Sequence, residues 1–244
     1  MSSRRLFVPG ERLTGPRLTL TGEEHRHVGR VLRGRVGDTL TLFDGAGGEV
    51  EGRIARVERD TIDVELGARR QVVGPTTPLT LLVAVPRGPR MDFLVQKTVE
   101  LGVARIVPVI AERSVARPDA EAGRVARWDK IAREAARQCG RADVPAVAPP
   151  VPLAGALADG ALPARRLALF EGEKARSLRA ELAGAAPAPT ALLVGPEGGF
   201  SAAEIAAARG AGFVPVGLGP RILRVETAAI AGLTLVAGTY GLLD

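Results

Sequence analysis

The chain has 244 residues, of which 46% are hydrophobic and 25% charged, and this composition excludes a disordered protein. A single cysteine excludes an intramolecular disulfide framework and a multi-cysteine metal site. The net charge of +6 favours polyanionic partners. Residues 1–9 contain no apolar leader, and the uncharged stretch 227–243 is better interpreted as a buried helix than as a membrane span. We therefore expect a cytoplasmic protein that does not insert into membranes.

The first part of the chain is rich in short β-strand patterns. Strands are predicted at residues 5–8, 17–20, 39–43, 50–57 and 62–66, with glycine-containing turns between them and a hairpin loop at 44–48. One helix is predicted over residues 23–33, with Thr21 as its N-cap. This pattern predicts a small barrel with one helix over residues 1–72, followed by a linker at residues 73–78.

From residue 79 onward, strands alternate with helices. Strands are predicted at 79–85, 105–110, 166–170, 191–194 and 213–218, and helices at 92–101, about 120–139 and from about Glu226 onward. Alternating strands and helices predict a mostly parallel sheet with helices on both faces. The Ala- and Pro-rich stretches 144–163 and 183–189 are predicted to be surface connections.

A glycine-rich turn, GPEGGF at residues 195–200, joins a buried strand to a helix that begins at Ser201. Ser201 and Glu204 have the spacing of a capping box. Ligands of open α/β sheets bind beyond the carboxyl ends of strands, and glycines let backbone amides approach a ligand. A strand-to-helix connection without a ligand has the same pattern. The turn is neither a Walker loop nor GxGxxG, so a phosphate-binding role is not favoured.

A second loop, LGPRILRVETA at residues 218–228, also joins a strand to a helix. Arg221 and Arg224 lie where this loop meets the helix. Glu226 is expected to pair with one of these two arginines, whether or not the loop binds a ligand.

Basic residues are concentrated in two segments. In the helix at 120–139, the spacing of Lys130, Arg133, Arg137 and Arg141 forms a stripe that can follow a phosphate backbone, although a solvated face has the same pattern. The opposite face is predicted to be buried and consists of Val125, Trp128, Ala132, Ala135 and Cys139. Residues 1–35 contain eight arginines against three glutamates, as an RNA platform would. His25 and His27 face apart on a helix, so no metal site is predicted.

Five motifs, in order along the chain, resemble the ribosomal RNA small-subunit methyltransferase E family of the SPOUT superfamily. They are VLR…VGD at 31–38, QKTVELGV at 96–103, RW…EAARQ at 127–138, and the two loops at 195–200 and 218–228. The resemblance extends from about residue 5 to residue 230. Members of this family are 16S rRNA uridine-N3 methyltransferases that use S-adenosyl-L-methionine (SAM).

The resemblance implies an α/β fold in which a PUA-like β-barrel domain (1–72) and a linker (73–78) precede a SPOUT domain (79–244) with a trefoil knot. It also implies a homodimer, with SAM bent into the knot loops. The implied cofactor-binding residues are Leu169, Glu171, Gly172, Gly195, Pro196, Glu197, Gly198, Gly199, Leu218, Gly219, Ile222, Leu223 and Thr227. The sequence departs from the family in having Arg87 where members often carry lysine, and in the Ala/Pro content of residues 145–163.

The implied reaction is displacement of the SAM methyl group by uracil N3, which carries a proton at neutral pH. An arginine near the developing uracil oxyanion would stabilise it, with Arg224 as first candidate and Arg137 or Arg141 as second. Glu226 is either the general base or, as we favour slightly, the residue that orients Arg224. The predicted RNA-binding residues are Arg4, Arg5, Arg26, Arg30, Arg33, Arg87, Lys97, Lys130 and Arg133.

The implied partner is 16S rRNA within the small ribosomal subunit. Two alternatives stay open from the sequence. One is another SPOUT methyltransferase, acting on transfer RNA or on a ribose 2′-OH, and the other is a non-catalytic RNA-binding protein. A nucleotide-dependent α/β enzyme is disfavoured because both nucleotide-binding loop patterns are missing.

Overall fold

The computed structural model describes residues 4–74, 76–114 and 121–243. The predicted features at residues 1–3, Pro75, Ala120 and Asp244 lie outside the described residues. The chain divides into two compact units. The first comprises the residues up to Gly74 together with 133–144, and the second comprises residues 75–132 and 145–244.

The first unit is built on a five-stranded sheet. Its strands are β1 (Arg5–Phe7), β2 (Arg17–Leu20), β3 (Thr39–Phe43), β4 (Gly48–Val57) and β5 (Ile62–Gln71). They are arranged in the order β1-β3-β4-β5-β2, and every pairing is antiparallel except that of β1 with β3. The predicted hairpin at 44–48 is confirmed, since it joins β3 to β4. Strand β5 is longer than predicted because it continues along β4 to Gln71.

The helical segment of this unit differs from the prediction. Helix α1 (Gly22–Arg26) is followed directly by a π-helical turn, His27–Val31, in which the Leu32 amide donates to the His27 carbonyl oxygen at 3.0 Å. The predicted helical segment 23–33 is therefore present, but it ends at Val31 and includes a π-helical turn. Arg33 has a φ of 51°, which ends helical geometry. Thr21 precedes α1, but its side chain makes no capping hydrogen bond.

Parallel strands form the sheet of the second unit, as predicted. They are β6 (Leu79–Ala84), β7 (Val103–Ile110), β8 (Ala146–Val147), β9 (Val151–Pro152), β10 (Arg165–Leu169), β11 (Thr190–Val194) and β12 (Val214–Val216). The order is β12-β10-β11-β6-β7-β8, with β9 also paired to β7, and all of these pairings are parallel. Every residue of β6 and β11 is buried, as their continuous apolar sequence requires.

Six further helices follow the strands. They are α2 (Arg90–Glu100), α3 (Glu121–Cys139), α4 (Leu153–Leu157), α5 (Leu178–Leu182), α6 (Ala202–Gly210) and α7 (Val225–Thr239). The stretch 144–163 was expected to be a surface connection, and this is wrong. It contributes two short strands and α4, whose Leu153, Ala156 and Leu157 are buried in the core of the second unit. No helix in the described ranges is long and apolar enough to cross a membrane.

Helix α3 buries a slightly different face from the predicted one. Trp128, Ala132 and Ala135 are buried as predicted, and Ala136 joins them. The prediction is wrong for two positions, since Val125 is only partly buried and Cys139, the last residue of the helix, is exposed.

Helix α7 packs unusually close to the sheet. A Cβ atom on Gly232 would lie 2.8 Å from Leu192 Cδ2 and 2.9 Å from Leu169 Cδ1. Only glycine allows this distance between α7 and strands β10 and β11. The close packing fixes the first turn of α7 near the carboxyl ends of these strands.

Candidate functional site

Three neighbouring parallel strands end at one cavity of about 270 Å³ in the second unit. We call it the three-loop cavity, because most of its wall comes from residues 169–171, 194–199 and 218–223, which lie at or just after the ends of β10, β11 and β12. Val225 and Ala228, in the first turn of α7, complete it. The cavity therefore lies where ligands of open parallel sheets bind, beyond the carboxyl ends of the strands.

The structure brings almost all of the predicted cofactor-binding residues together around this cavity. Gly172 and Thr227 are the two predicted positions that do not line it. The sequence prediction missed five lining residues, which are Phe170, Val194, Arg221, Val225 and Ala228. The helical spacing of Val225 and Ala228 was a usable signal, since positions i and i+3 share a helix face.

The loop Gly195–Gly199 needs glycine at two positions. Gly199 has a φ of 69°, and a Cβ atom there would lie 2.1 Å from Glu171 Oε1. A Cβ atom on Gly195 would lie 2.9 Å from the Phe200 ring. The amide of Gly199 donates to the Pro196 carbonyl oxygen at 2.9 Å and closes the turn. Because these two glycines have no side chains, the tight turn places backbone atoms directly at the cavity wall.

Polar contacts from residues outside the cavity wall hold this loop in place. Arg113 Nη1 donates to the carbonyl oxygen of Gly198 at 2.8 Å. The predicted capping box is confirmed, because Ser201 Oγ accepts from the Glu204 amide and Glu204 Oε2 accepts from the Ser201 amide. Glu204 Oε1 also accepts from the Glu112 amide at 2.7 Å. The start of α6 is therefore tied to the segment after β7.

Arg90 connects the loop after β11 to the first turn of α7, and the sequence analysis did not predict this role. Its Nη1 donates to Glu197 Oε1 at 3.4 Å, and its Nε lies 3.9 Å from Glu226 Oε1. Glu226 was expected to pair with Arg221 or Arg224, and this is wrong. Both arginines are exposed and make no ion pair within the described residues. The other carboxylate oxygen of Glu226, Oε2, is buried and has no hydrogen-bond partner in the part of the chain that the structure describes.

The loop after β12 is fixed at its start and open at its tip. The amide of Gly217 donates to the Arg176 carbonyl oxygen at 2.8 Å, and a Cβ atom there would lie 2.6 Å from the Glu173 carbonyl oxygen. Hydrogen bonds from the amides of Arg176 and Ala175 lower the pKa of Glu173.

The tip of the same loop is open to solvent. Ile222 is 85% exposed although it lines the cavity. An apolar side chain is therefore available at the cavity rim.

The other two catalytic candidates, Arg137 and Arg141, belong to the first unit. Arg137 pairs with Glu134 at 2.6 Å, and its Nη1 lies 3.0 Å from His27 Nε2. Burial and the charge of Arg137 both lower the pKa of His27. Arg141 pairs with Asp143 at 2.5 Å. Both guanidinium groups thus have local carboxylate partners, whereas Arg224 in the second unit has none among the residues that the structure describes.

Among the predicted RNA-binding residues, Arg5 requires a correction. It is 6% exposed, and its Nη2 donates to Glu49 Oε1 at 2.5 Å and to the Arg141 carbonyl oxygen at 2.9 Å. A buried, paired guanidinium group has a structural role and does not face RNA. The side chain of Arg30 is exposed and makes no hydrogen bond or ion pair within the described residues, and the same holds for Arg33.

The remaining predicted RNA contacts differ in their surroundings. Arg4 pairs with Asp38 at 2.5 Å, and Lys97 with Glu100 at 2.8 Å. Arg133 lies over the Phe7 ring, 5.4 Å from its centroid. The side chains at the other positions are exposed, and these are Arg26, Arg87 and Lys130. Within the described part of the chain, no group of three His, Cys, Asp or Glu residues could hold a metal ion.

The chain is similar to known RNA methyltransferases. A family model described as an RNA methyltransferase domain matches residues 74–237, and one described as an RNA methyltransferase PUA domain matches residues 20–67. The ribosomal RNA small subunit methyltransferase E of Synechocystis sp. is 32% identical, over 95% of this chain and 76% of the relative. Its Bacillus subtilis counterpart is 31% identical, over 91% of this chain and 90% of the relative.

Two solved structures match nearly the whole chain. A Legionella pneumophila protein, solved with bound SAM, has a TM-score of 0.87 and 35% identity, and the match covers 98% of this chain and 99% of that one. The ribosomal RNA small subunit methyltransferase E of Neisseria gonorrhoeae, bound to S-adenosyl methionine, has a TM-score of 0.85 and 34% identity, with 98% of each chain covered. Sequence, fold and both family models lead to one conclusion: this chain belongs to the ribosomal RNA small subunit methyltransferase E family.

Proposed function

We propose that this protein is a SAM-dependent methyltransferase that methylates N3 of a uridine in 16S rRNA of the small ribosomal subunit. The observation that carries the proposal is the three-loop cavity, in which residues after β10, β11 and β12 converge at one edge of the parallel sheet. The relatives from Legionella and Neisseria were solved with SAM. The specific nucleoside follows from the motif resemblance described above.

The residues around the three-loop cavity fit SAM. Gly195 and Gly199 line the cavity without side chains, so a ligand in the cavity can approach their backbone. Apolar groups for the adenine ring come from Leu169, Leu223 and Ala228, and hydrogen-bonding groups come from the loop backbone. Gly172 and Thr227 stay in the proposed cofactor site as neighbours of lining residues.

Bound SAM would supply an activated methyl group, and the protein would align uracil N3 with it. We assign Arg224 to the stabilisation of the uracil oxyanion, because its exposed guanidinium group has no ion pair within the described residues. We assign Glu226 as the acceptor of the N3 proton, since its buried Oε2 atom has no hydrogen-bond partner among the described residues. Arg137 and Arg141 are the second choice for the oxyanion.

We further propose a PUA-like β-barrel domain over residues 1–72, a linker over 73–78 and a SPOUT domain over 79–244. The loops of the three-loop cavity would form a trefoil knot, and two copies would form a homodimer. The protein would act in the cytoplasm, without a metal ion, on the assembled small subunit. The two family-model matches, at residues 20–67 and 74–237, support the order of the domains.

The proposed RNA surface includes the exposed arginines of the first unit, Arg26, Arg30 and Arg33, together with Arg4 and Arg133. In the second unit it includes Arg87, Lys97 and Lys130. These side chains would hold the phosphate backbone around the target, while the target uridine leaves its helix to expose N3.

Nucleoside mass spectrometry tests the function directly. Small subunits lacking the modification are incubated with the protein and SAM, and their 16S rRNA is digested to nucleosides. We expect 3-methyluridine to appear. A different methylated nucleoside would favour another SPOUT activity, on transfer RNA or on a ribose 2′-OH. A folded protein that binds SAM and methylates nothing would favour a non-catalytic RNA-binding role.

A further inference from the structure

A second cavity in the second unit lies at the carboxyl end of β6. We call it the arginine cavity, because Arg87, Arg124 and Arg127 line it, together with Asp92 and Trp128. Its volume is about 490 Å³, and ligand cavities span roughly 300–1,000 Å³. Its walls are the loop after β6, the first turn of α2 and one face of α3.

The arginine cavity is linked to the three-loop cavity through neighbouring strands. Strand β6 pairs in parallel with β11, so the two strands end at the same edge of the sheet. The backbone amide of Arg87 donates to Glu197 Oε1 at 3.3 Å, and Glu197 lines the three-loop cavity. A ligand in one cavity therefore lies one strand away from a ligand in the other.

The charge of the arginine cavity is not balanced. Among the described residues that line it, three guanidinium groups face one carboxylate, and Asp92 already forms an ion pair with Arg127. The side chains of Arg87 and Arg124 make no hydrogen bond or ion pair with any residue that the structure describes. Two cations therefore remain for an anionic ligand, and planar guanidinium groups suit phosphate.

Trp128 adds a third feature to the arginine cavity. It is the single tryptophan of the chain and is 3% exposed. Its indole N–H has no hydrogen-bond partner among residues 4–74, 76–114 and 121–243. A donor without a partner among the described residues, beside two unpaired cations, is the arrangement that a phosphate or a ribose hydroxyl would complete.

We propose that the arginine cavity binds the phosphate and ribose of an RNA nucleotide next to the target uridine. The proposal rests on the proposed function, because it assumes that the three-loop cavity holds SAM and receives the target base. When the target base leaves its helix, contacts to the adjacent nucleotides hold the RNA strand in position. Arg87 and Arg124 would hold the neighbouring phosphate, while the Trp128 N–H would donate to the ribose or to the phosphate.

Charge reversal tests the proposal. We expect Arg87→Glu and Arg124→Glu to raise KM for unmodified small subunits at least about tenfold, because charge-assisted hydrogen bonds to phosphate are lost. SAM affinity, measured by calorimetry, should match that of the wild-type protein. The matched control is Arg179→Glu, an exposed arginine on α5. An unchanged KM in both cavity variants, or an equal rise in the control, would overturn the proposal.

The salt dependence of RNA binding separates a phosphate contact from a structural effect. Removing one phosphate contact should lower the slope of log K against log salt concentration by about one. We expect this for Arg124→Glu with a transcript containing the target uridine. An unchanged slope would contradict a phosphate on Arg124.

Fluorescence of Trp128 reports on the cavity directly. We expect the same transcript to change it at concentrations at which uridine 5′-monophosphate does not. An equal response to the free nucleotide, or no response to the transcript, would overturn the assignment to RNA. If the transcript changed the fluorescence but the protein did not methylate small subunits, the proposed function would be contradicted. RNA binding in the arginine cavity would still be supported.

Discussion

Arg90 Nε lies 3.9 Å from Glu226 Oε1, and the same guanidinium group donates to Glu197. Arg90 thereby joins the loop after β11 to the first turn of α7. We expect Arg90→Met to weaken SAM binding about three- to fivefold, since partly exposed ion pairs contribute up to about 1 kcal/mol each. Calorimetric titration measures this, with Arg179→Met as control. Wild-type affinity in Arg90→Met would mean that the loops hold their positions without it.

Glycine at 199 allows a direct test of the cavity wall. Gly199 and Gly184 both have a φ of 69°, so alanine at either position should cost about 1–2 kcal/mol of unfolding free energy. A Cβ atom at 199 would also lie 2.1 Å from Glu171 Oε1, whereas one at 184 would meet nothing within 4 Å. We expect only Gly199→Ala to weaken SAM binding, by at least about tenfold, because the loop must shift. Equal SAM affinities in the two variants would contradict this.

Arg224→Ala should separate chemistry from cofactor binding. If Arg224 stabilises the uracil oxyanion, its removal should lower kcat about 10²- to 10³-fold. SAM affinity should stay at the wild-type value, because Arg224 does not line the three-loop cavity. Single-turnover methylation of small subunits measures the first effect, and calorimetry measures the second. Turnover that survives the substitution would move the role to Arg137 or Arg141.

Arg5 and Glu49 form a buried ion pair in the first unit, with side chains 7% and 4% exposed. We expect Arg5→Met to lower the unfolding free energy by about 3 kcal/mol, since it removes one partner of a buried pair. The exposed pair Arg17–Glu65 is the control, and Arg17→Met should change stability by less than about 1 kcal/mol. Urea unfolding at pH 7 measures both. Similar losses in the two variants would contradict the structural role of Arg5.

Glu49 also makes the first unit sensitive to acid. Burial alone would raise the pKa of Glu49, but hydrogen bonds from Arg5 and Arg70 lower it below the usual value. A lowered folded-state pKa stabilises the protein above the unfolded-state pKa, and this contribution is lost as the pH falls through the folded-state pKa. We expect Glu49→Gln to reduce stability at pH 7 and to flatten its decline below about pH 4.5. If the stability of Glu49→Gln declined at low pH as steeply as that of the wild-type protein, Glu49 would not be the source of the acid sensitivity.

Local sequence patterns predicted much of the second unit. The apolar runs of β6 and β11 and the capping box at Ser201 are short-range features, and the structure contains them. The loops around the three-loop cavity were also predictable, because each directly follows an apolar strand. Residues 153–157 were missed as a helix because one turn and a half is too short to show a periodic pattern.

The role of Arg90 could not be predicted, because it depends on the order of strands in the sheet. Pairing β6 with β11 brings the start of α2 to Glu197 and Glu226, which lie more than one hundred residues further along the chain. The sequence prediction instead paired Glu226 with its near neighbours. The arginine cavity could not be predicted either, because it combines the loop after β6 and the start of α2 with one face of α3.

The segments that line the three-loop cavity are translated one after another, and their order affects when the site can form during protein synthesis. Strand β10 is translated first, but its neighbours in the sheet are β11 and β12, which emerge later. The last wall, residues 218–228, follows β12. A nascent chain therefore has no complete ligand site until α7 begins to emerge. Cofactor can stabilise the finished fold by mass action, but it cannot guide the earlier steps of folding.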